Sequence, residues 1–184
     1  MWKYLKKLSS TFSSWMINMS ADDFGIYVHI PFCERKCIYC DFLSFTIRSI
    51  EKERVERYFD ALFLEIEKKK ESVSNTVTSI FIGGGTPSVV EPKLIYSLVE
   101  KLEESFVIAG DAEITIEANP GTVKDNDFSV YKDAGINRIS FGIQTLNDDL
   151  ARFLGRIHTR EDSITAIKNA QRAGFENINA DILI

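Results

Sequence analysis

The sequence has few prolines and cysteines and no long hydrophobic run. No apolar stretch reaches the roughly 18 residues that a membrane-spanning helix requires. Four prolines and ten glycines in 184 residues leave little room for a flexible linker. Hydrophobic residues make up 45% and charged residues 27%, which excludes wholesale disorder and collagen-like repeats. The formal net charge of −5 argues against a general nucleic-acid binder.

The only three cysteines are Cys33, Cys37 and Cys40. An odd number of thiols so close together makes a poor disulfide framework, which favours a reducing compartment and a role as ligands. The spacing C-x3-C-x2-C is typical of an iron–sulfur site. Three thiolates on a [4Fe–4S] cube leave one iron open to an exogenous ligand. The alternative is a zinc site, for which His29 is the candidate fourth ligand.

Residues 1–24 form a basic leader with no acidic residue before Asp22. Its apolar residues recur at helical spacing, which is compatible with a helix that makes weak contact with a membrane surface, or with an organelle transit peptide. The favoured interpretation is a plain leader ahead of the domain. We therefore expect a cytoplasmic protein, or a mitochondrial one if the leader is a transit peptide. The residues concerned are Trp2, Leu5, Leu8, Phe12 and Trp15, with the basic Lys3, Lys6 and Lys7.

From residue 25 onward, strand and helix patterns alternate, which predicts an α/β fold with a parallel sheet covered by helices. This pattern alone leaves open a doubly wound sheet or a complete or partial (β/α) barrel. Predicted strands cover 25–30, 78–82, 112–118, 138–143 and 177–184. Predicted helices cover about 49–71, 91–105, 123–134, 148–154 and 160–174.

Polar or ligating residues follow every predicted strand, at the point where the strand ends. Both candidate folds place their chemistry at the carboxyl ends of the strands, so these residues predict one site built from five strands. They are the cysteine loop, the run Gly83–Thr86, Glu117 with Asn119, Gln144 with the nearby Arg156 and His158, and Asp181.

Longer strings carry a resemblance to a known family. YVHIPFCERKCIYCDF, FIGGGTP, EITIEANPGTV, GINRISFGIQT, LGRIHT and NADILI stand in this order between residues 27 and 184. Together they resemble the radical S-adenosylmethionine (SAM) superfamily. Within it they are most similar to the branch of oxygen-independent coproporphyrinogen III oxidases and HemW-type heme chaperones.

The resemblance implies a cofactor site and a ligand set. Cys33, Cys37 and Cys40 would ligate a [4Fe–4S] cluster, and its open iron would be chelated by the amino and carboxylate groups of SAM. One electron would then cleave SAM to methionine and a 5′-deoxyadenosyl radical. No catalytic residue is assigned. The residues implied in SAM binding are Tyr27, Tyr39, Gly84, Gly85, Thr86, Glu117, Gln144, Arg156 and Asp181.

These residues divide by the part of SAM that each would contact. The segment 84–86 would meet the amino end, and the Arg156 guanidinium would bind the carboxylate. Gln144 and Asp181 would hold the ribose hydroxyls. Glu117 would accept from the ammonium or a hydroxyl. Both tyrosines would flank the cluster loop.

Two features of the sequence distinguish between the oxidases and the chaperones. The oxidases carry a further cysteine two residues after the third ligand, where this sequence has Phe42. The string 155–158 (Gly-Arg-Ile-His) is more similar to the chaperones, so heme handling is favoured over porphyrinogen decarboxylation. Oxidase activity and a non-catalytic iron–sulfur fragment remain the alternatives.

The expected ligand beyond SAM is heme or a porphyrin, with a heme-accepting protein as partner and a flavodoxin or ferredoxin as electron donor. Family members continue beyond the strand that holds Asp181. We therefore expect residues 25–184 to form the N-terminal part of a radical SAM core, a partial (β/α) barrel that ends after its fifth strand.

Overall fold

The computed structural model describes residues 24–184, so the predicted leader lies outside the described residues except for Phe24, which begins the first strand. The strands are β1 (Phe24–Ile30), β2 (Phe32–Cys33), β3 (Phe45–Thr46), β4 (Val77–Gly84), β5 (Ile108–Ala118), β6 (Arg138–Gln144) and β7 (Asn177–Ile182). The helices are α1 (Lys52–Lys69), α2 (Pro92–Ser105), α3 (Asp125–Asp133), α4 (Asp148–Leu154) and α5 (Arg160–Arg172).

Five parallel strands form the main sheet in the order β1-β4-β5-β6-β7. The spatial order follows the chain order without the reversal that defines a doubly wound sheet. This progression is that of a barrel wall, so the structure is a partial (β/α) barrel and the prediction of an α/β parallel fold is confirmed. The short strands β2 and β3 pair with each other beside it.

Alternate residues of each strand face opposite sides of this sheet. One side is apolar and buried, with Ile82, Ile116 and Phe141 among its side chains, and it packs against helix residues such as Phe59 and Leu98. The other side carries polar groups that bond across strands. The sheet therefore has a packed outer face and a polar concave face.

Local signals at the helix ends agree with the structure. The Asn147 side chain accepts from the backbone amides that open α4. Thr159 and Asp162 form the predicted capping box of α5. Gly135, which follows the end of α3, has φ +87°. The caps at Asn147 and Thr159 fix where α4 and α5 begin. The loop that carries Arg156 connects the end of α4 to the start of α5.

The sequence prediction was wrong about the end of β4. The strand was expected to stop at Gly83, but it continues through Gly84, because His29 and Ile30 of β1 pair with these two glycines. Glycine is a poor strand former, yet the pairing with β1 extends the ladder through both glycines, whereas the pairing with β5 ends at Ile82. Among residues 24–184, no helix combines the length and apolar character required to cross a membrane.

Candidate functional site

A cavity of about 150 Å³ lies at the carboxyl ends of the strands. Its wall contains all three cysteines and eight of the nine residues predicted to bind SAM; Tyr27 is the exception. The eight are Tyr39, Gly84, Gly85, Thr86, Glu117, Gln144, Arg156 and Asp181.

The cysteine loop is tied to the sheet and to α4 by backbone hydrogen bonds. Phe45 N donates to Pro31 O at 2.7 Å and closes the loop at its base. Ile38 N donates to Leu154 O at 3.3 Å. Cys33 is buried, the other two cysteines are half-buried, and all three are free thiols. The loop thus presents three unbridged thiols to one cavity.

The glycine-rich segment after β4 hydrogen-bonds within the protein through its amides. Gly85 N donates to Ile30 O at 2.8 Å, and Thr86 N donates to Phe32 O at 2.7 Å. Gly84 N donates to Glu117 Oε2 at 3.0 Å. Because these N–H groups are engaged, the backbone groups left for a ligand are carbonyl oxygens. Such acceptors suit an ammonium, which has three donors and no acceptor.

The chain comes unusually close to its neighbours at two of these glycines. A Cβ on Gly84 would lie 2.4 Å from His29 Nδ1, and Gly84 has φ +113°. A Cβ on Gly85 would lie 2.6 Å from Phe32 O. The absence of side chains therefore lets the segment pack against β1 and β2, which places Thr86 beside Cys33.

Arg156 joins the loop after α4 to the cysteine loop. Its Nη1 donates to Cys37 Sγ and to Tyr39 OH, at 3.3 Å each, and its Nη2 donates to Gly142 O. Its Nε is buried without a hydrogen-bond partner among the described residues. Partial burial raises the pKa of Tyr39 to about 12, to which the Cys37 thiol adds, while the Arg156 charge opposes the shift. The guanidinium therefore keeps one N–H available for a further acceptor.

Two carboxylates lie on the concave side of the cavity. Burial raises the pKa of Glu117, the charge of Asp181 raises it further, and the Gly84 amide and His29 oppose the rise. Asp181 accepts from Ser140 Oγ at 3.0 Å and from the neighbouring amide Nδ2 of Asn179 at 2.8 Å. Their negative charges make this wall suited to a cationic ligand.

Two residues that support Asp181, namely Ser140 and Asn179, were not predicted from the sequence. Ser140 lines the cavity, and Asn179 donates to both Ser140 Oγ and Asp181. The signal that points to them is strand periodicity. Ser140 lies two residues before Gly142 on β6, and Asn179 lies two residues before Asp181 on β7, so each pair shares a face.

His158 is buried behind the cavity. Its Nδ1 lies 2.9 Å from Asn119 Oδ1, and its Nε2 lies 3.2 Å from Ile143 O. Burial lowers the pKa of His158, and the nearby Arg156 lowers it further. The imidazole thus links the loop after α4 to the ends of β5 and β6, two residues from Arg156.

Tyr27 lies outside the cavity wall. Its side chain is 57% exposed, its hydroxyl lies 3.1 Å from His29 Nδ1, and its ring stacks on Phe81 with centroids 6.2 Å apart. Gln144 does line the cavity, with φ +69° at the end of β6.

The donor set fits an iron–sulfur cluster better than a zinc ion. Among residues 24–184, no three His, Cys, Asp or Glu side chains converge on a point where one metal ion would sit. Both ring nitrogens of His29 have other partners, Tyr27 OH and Leu43 O. A cube binds its three cysteines at three different irons, so its thiolates need not converge, and thiolates are its usual ligands.

The family model described as "Radical SAM superfamily" matches residues 27–184. The chain therefore belongs to the radical SAM superfamily, whose members use a [4Fe–4S] cluster and SAM. Its fold and its cysteine-lined cavity agree with this membership.

Within that superfamily, the chain is similar to proteins named heme chaperone HemW. It is 39% identical over 160 residues to the one from Buchnera aphidicola subsp. Schizaphis graminum, and this match covers 86% of this chain and 42% of the relative. It is 32% identical over 161 residues to "Radical S-adenosyl methionine domain-containing protein 1, mitochondrial" of Bos taurus, which covers 87% of this chain and 36% of the relative. The chain spans less than half the length of these relatives.

A solved structure of coproporphyrinogen III oxidase (HemN) from Escherichia coli, described as a radical SAM enzyme, superposes with a TM-score of 0.79. The two chains are 31% identical over 86% of this chain and 36% of the oxidase. The arrangement of sheet and helices is thus shared with that enzyme.

Proposed function

We propose that this chain forms the cluster- and SAM-binding part of a heme chaperone of the HemW type. The observation that carries the proposal is the single cavity that gathers the three cysteines with eight predicted SAM-binding residues. The similarity to proteins named heme chaperone HemW supports the cargo, which would be heme or a related porphyrin.

The three cysteine thiolates, which line the cavity, would hold the cluster. When bound, such a cluster supplies one electron for the cleavage of SAM. Each remaining contribution comes from the chain. Carbonyl oxygens near Gly84 and Gly85 accept from the methionine ammonium, and the uncommitted Nε of Arg156 donates to the methionine carboxylate.

The concave wall would hold the ribose end of SAM. Asp181 accepts from ribose hydroxyls, and it is oriented for this by Ser140 and Asn179. Gln144 donates or accepts beside it. Glu117 receives a hydrogen bond from Gly84 N, so it is fixed where it offers its other oxygen to the ammonium or a hydroxyl. Tyr39 lies within the cysteine loop, where its hydroxyl accepts from Arg156, and would flank the cluster.

The electron donor we propose is a small one-electron protein of the flavodoxin or ferredoxin class, and the final acceptor of the cargo is a heme-binding protein. The second candidate function is coproporphyrinogen III oxidase activity, which the similarity to HemN favours. Phe42 stands where the oxidases carry their additional cysteine, so we place this function second.

Anaerobic reconstitution of the chain tests the proposal. We expect a brown protein with four irons per chain and no stoichiometric zinc, which releases 5′-deoxyadenosine when dithionite and SAM are added. The Cys37→Ala variant is the matched control and should lose the cluster. A colourless zinc protein would overturn the cluster assignment.

Further arms of the same experiment separate the functions. A cluster-loaded chain that never cleaves SAM would favour a non-catalytic iron–sulfur protein. Hemin added to the loaded chain should shift its Soret band if heme is the cargo. Decarboxylation of coproporphyrinogen III would instead identify the oxidase.

A further inference from the structure

Two side chains donate hydrogen bonds to the sulfur atoms of the cysteine loop. Arg156 Nη1 lies 3.3 Å from Cys37 Sγ, and Thr86 Oγ1 lies 3.5 Å from Cys33 Sγ. One donor is a cation and the other a neutral hydroxyl. They come from two separate segments, the loop after α4 and the loop after β4, so the two sulfurs are contacted independently.

Both donors are held in place by contacts that do not involve a ligand. The Thr86 amide donates to Phe32 O at 2.7 Å, and its carbonyl accepts from Val89 N at 3.0 Å. The backbone amide of Arg156 donates to Ala151 O at 2.9 Å, and its Nη2 donates to Gly142 O. Gly155 precedes it with φ +80°, and a Cβ added to Gly155 would lie 3.7 Å from Cys37 Cα, so this loop passes close to the cysteine loop.

The contact of Arg156 with sulfur is compatible with its proposed role toward SAM. A guanidinium has five N–H groups in a fixed fork. Nη1 serves Cys37 and Tyr39, Nη2 serves Gly142, and Nε has no partner among the described residues. One side chain can therefore contact a ligand sulfur and a carboxylate through different nitrogens.

We infer that Arg156 and Thr86 raise the reduction potential of the cluster by donating hydrogen bonds to the sulfur atoms of Cys37 and Cys33. This inference rests on the cluster named in the proposed function. One-electron reduction makes the cluster and its thiolates more negative by one charge. A donor aimed at a ligand sulfur stabilises that reduced form more than the oxidised form, and hydrogen bonds to the sulfurs are a recognised determinant of cluster potential.

The two effects should differ in size. A charge-assisted hydrogen bond is roughly twice as strong as a neutral one. Arg156 and Cys37 are both half-buried, so solvent screens their interaction only in part. We therefore expect the larger contribution from Arg156 and the smaller from Thr86.

Matched pairs of variants of the full chain test whether these two donors set the reduction potential. Each protein is reconstituted anaerobically and titrated with dithionite in the presence of redox mediators and without SAM. The EPR signal of the reduced cluster is the readout. Thr86→Val removes the hydroxyl at nearly constant shape, and Thr86→Ser retains it. Arg156→Gln removes the charge. Arg152→Gln, on exposed α4 surface where Arg152 pairs with Asp149, removes an equal charge away from the cysteines.

At a fixed solution potential, the ratio of reduced to oxidised cluster should fall about tenfold in Arg156→Gln, equal to about 59 mV for a one-electron couple. It should fall about threefold in Thr86→Val. Thr86→Ser and Arg152→Gln should match the wild type. If Arg156→Gln fails to retain iron, Arg156→Lys takes its place, with an intermediate potential expected because the charge remains and the fork is lost.

The inference fails for either residue if its variant binds the wild-type amount of iron and titrates at the wild-type potential. A wild-type chain that takes up no cluster would instead overturn the proposed function, before any variant is compared. The two failures are therefore distinguished by the iron content of the wild-type sample.

Discussion

Single residues at the end of β4 show how tightly the site is packed before any ligand is considered. The family resemblance implies that the segment 84–86 meets the amino end of SAM. In the structure, Gly84 is needed first for contact with the His29 ring, and Gly85 for contact with the Phe32 carbonyl. A sequence pattern can identify the need for glycine, but it does not show which neighbour imposes it.

Gly84→Ala should destabilise the ligand-free chain by about 2 kcal/mol or more, since the new Cβ meets His29 Nδ1 at 2.4 Å and φ is +113°. The measurement is urea unfolding followed by circular dichroism, with a reductant present. Gly110→Ala is the matched control, because a Cβ there has nothing within 4 Å, and it should change stability by less than about 0.5 kcal/mol. Equal losses in both variants would contradict the close packing at Gly84.

His158 shows what residue patterns could not predict. A lone histidine in a loop carries no periodicity and no spacing to a partner, so the sequence pattern places it at the candidate site without a specific role. Its function depends on Asn119 and Ile143, which are distant along the chain and meet only when β5 and β6 pair. Because His158 is close to Arg156 in the sequence, it could be expected near the site. Only the structure shows that its hydrogen bonds to Asn119 and Ile143 hold the Arg156 loop in place.

At the scale of elements, the alternating patterns predicted all five strands of the main sheet and the five helices. They did not predict β2 and β3, because two residues are too short to show any alternation. They also placed the start of β5 four residues late, since its opening residues 108–111 include Gly110 and do not alternate. Long periodic elements are thus predictable, whereas the short strands that shape the cysteine loop depend on tertiary pairing.

The N-cap of α4 matters because this helix supports both the cysteine loop and Arg156. Asn147 Oδ1 accepts from Asp149 N and Leu150 N at 3.0 Å each. Asn147→Ala should therefore reduce the free energy of unfolding by about 1 kcal/mol, whereas Asn147→Asp, an equally good cap, should retain it. Thermal unfolding of the two variants side by side checks this; a loss of equal size in the aspartate variant would show that the cap does not explain the effect.

At the scale of the whole molecule, the strand order explains why the candidate site could be located from sequence. Because five parallel strands run in chain order, whatever follows each strand meets at one rim. The cysteine loop, the glycine segment and three polar strand ends are therefore neighbours, whatever the details of packing. What this rule does not supply is distance, so the bond from Arg156 to Cys37 and the position of Tyr27 outside the cavity required the structure.

The same architecture places Glu117 and Asp181 on one concave wall, and this predicts how stability depends on pH. Burial raises the pKa of Glu117 above its ordinary value of 4.5, with a smaller contribution from the Asp181 charge. A carboxyl group whose pKa is higher in the folded than in the unfolded state favours folding when protonated. Its contribution is fully present below the unfolded value and is lost as the pH rises through the folded one.

Glu117→Gln should remove this loss while keeping an oxygen that can accept from Gly84 N. The free energy of unfolding of the ligand-free variant should rise relative to that of the wild type as the pH increases from 4 through the folded pKa, which lies above 4.5, and the difference should level off at higher pH. Glu100→Gln, on the exposed face of α2, is the control and should follow the wild-type curve. Urea unfolding at several pH values measures both. A Glu117→Gln curve that runs parallel to the wild type between pH 4 and 8 would show that the group titrates identically in the folded and unfolded chains. The electrostatic description of this wall would then be wrong.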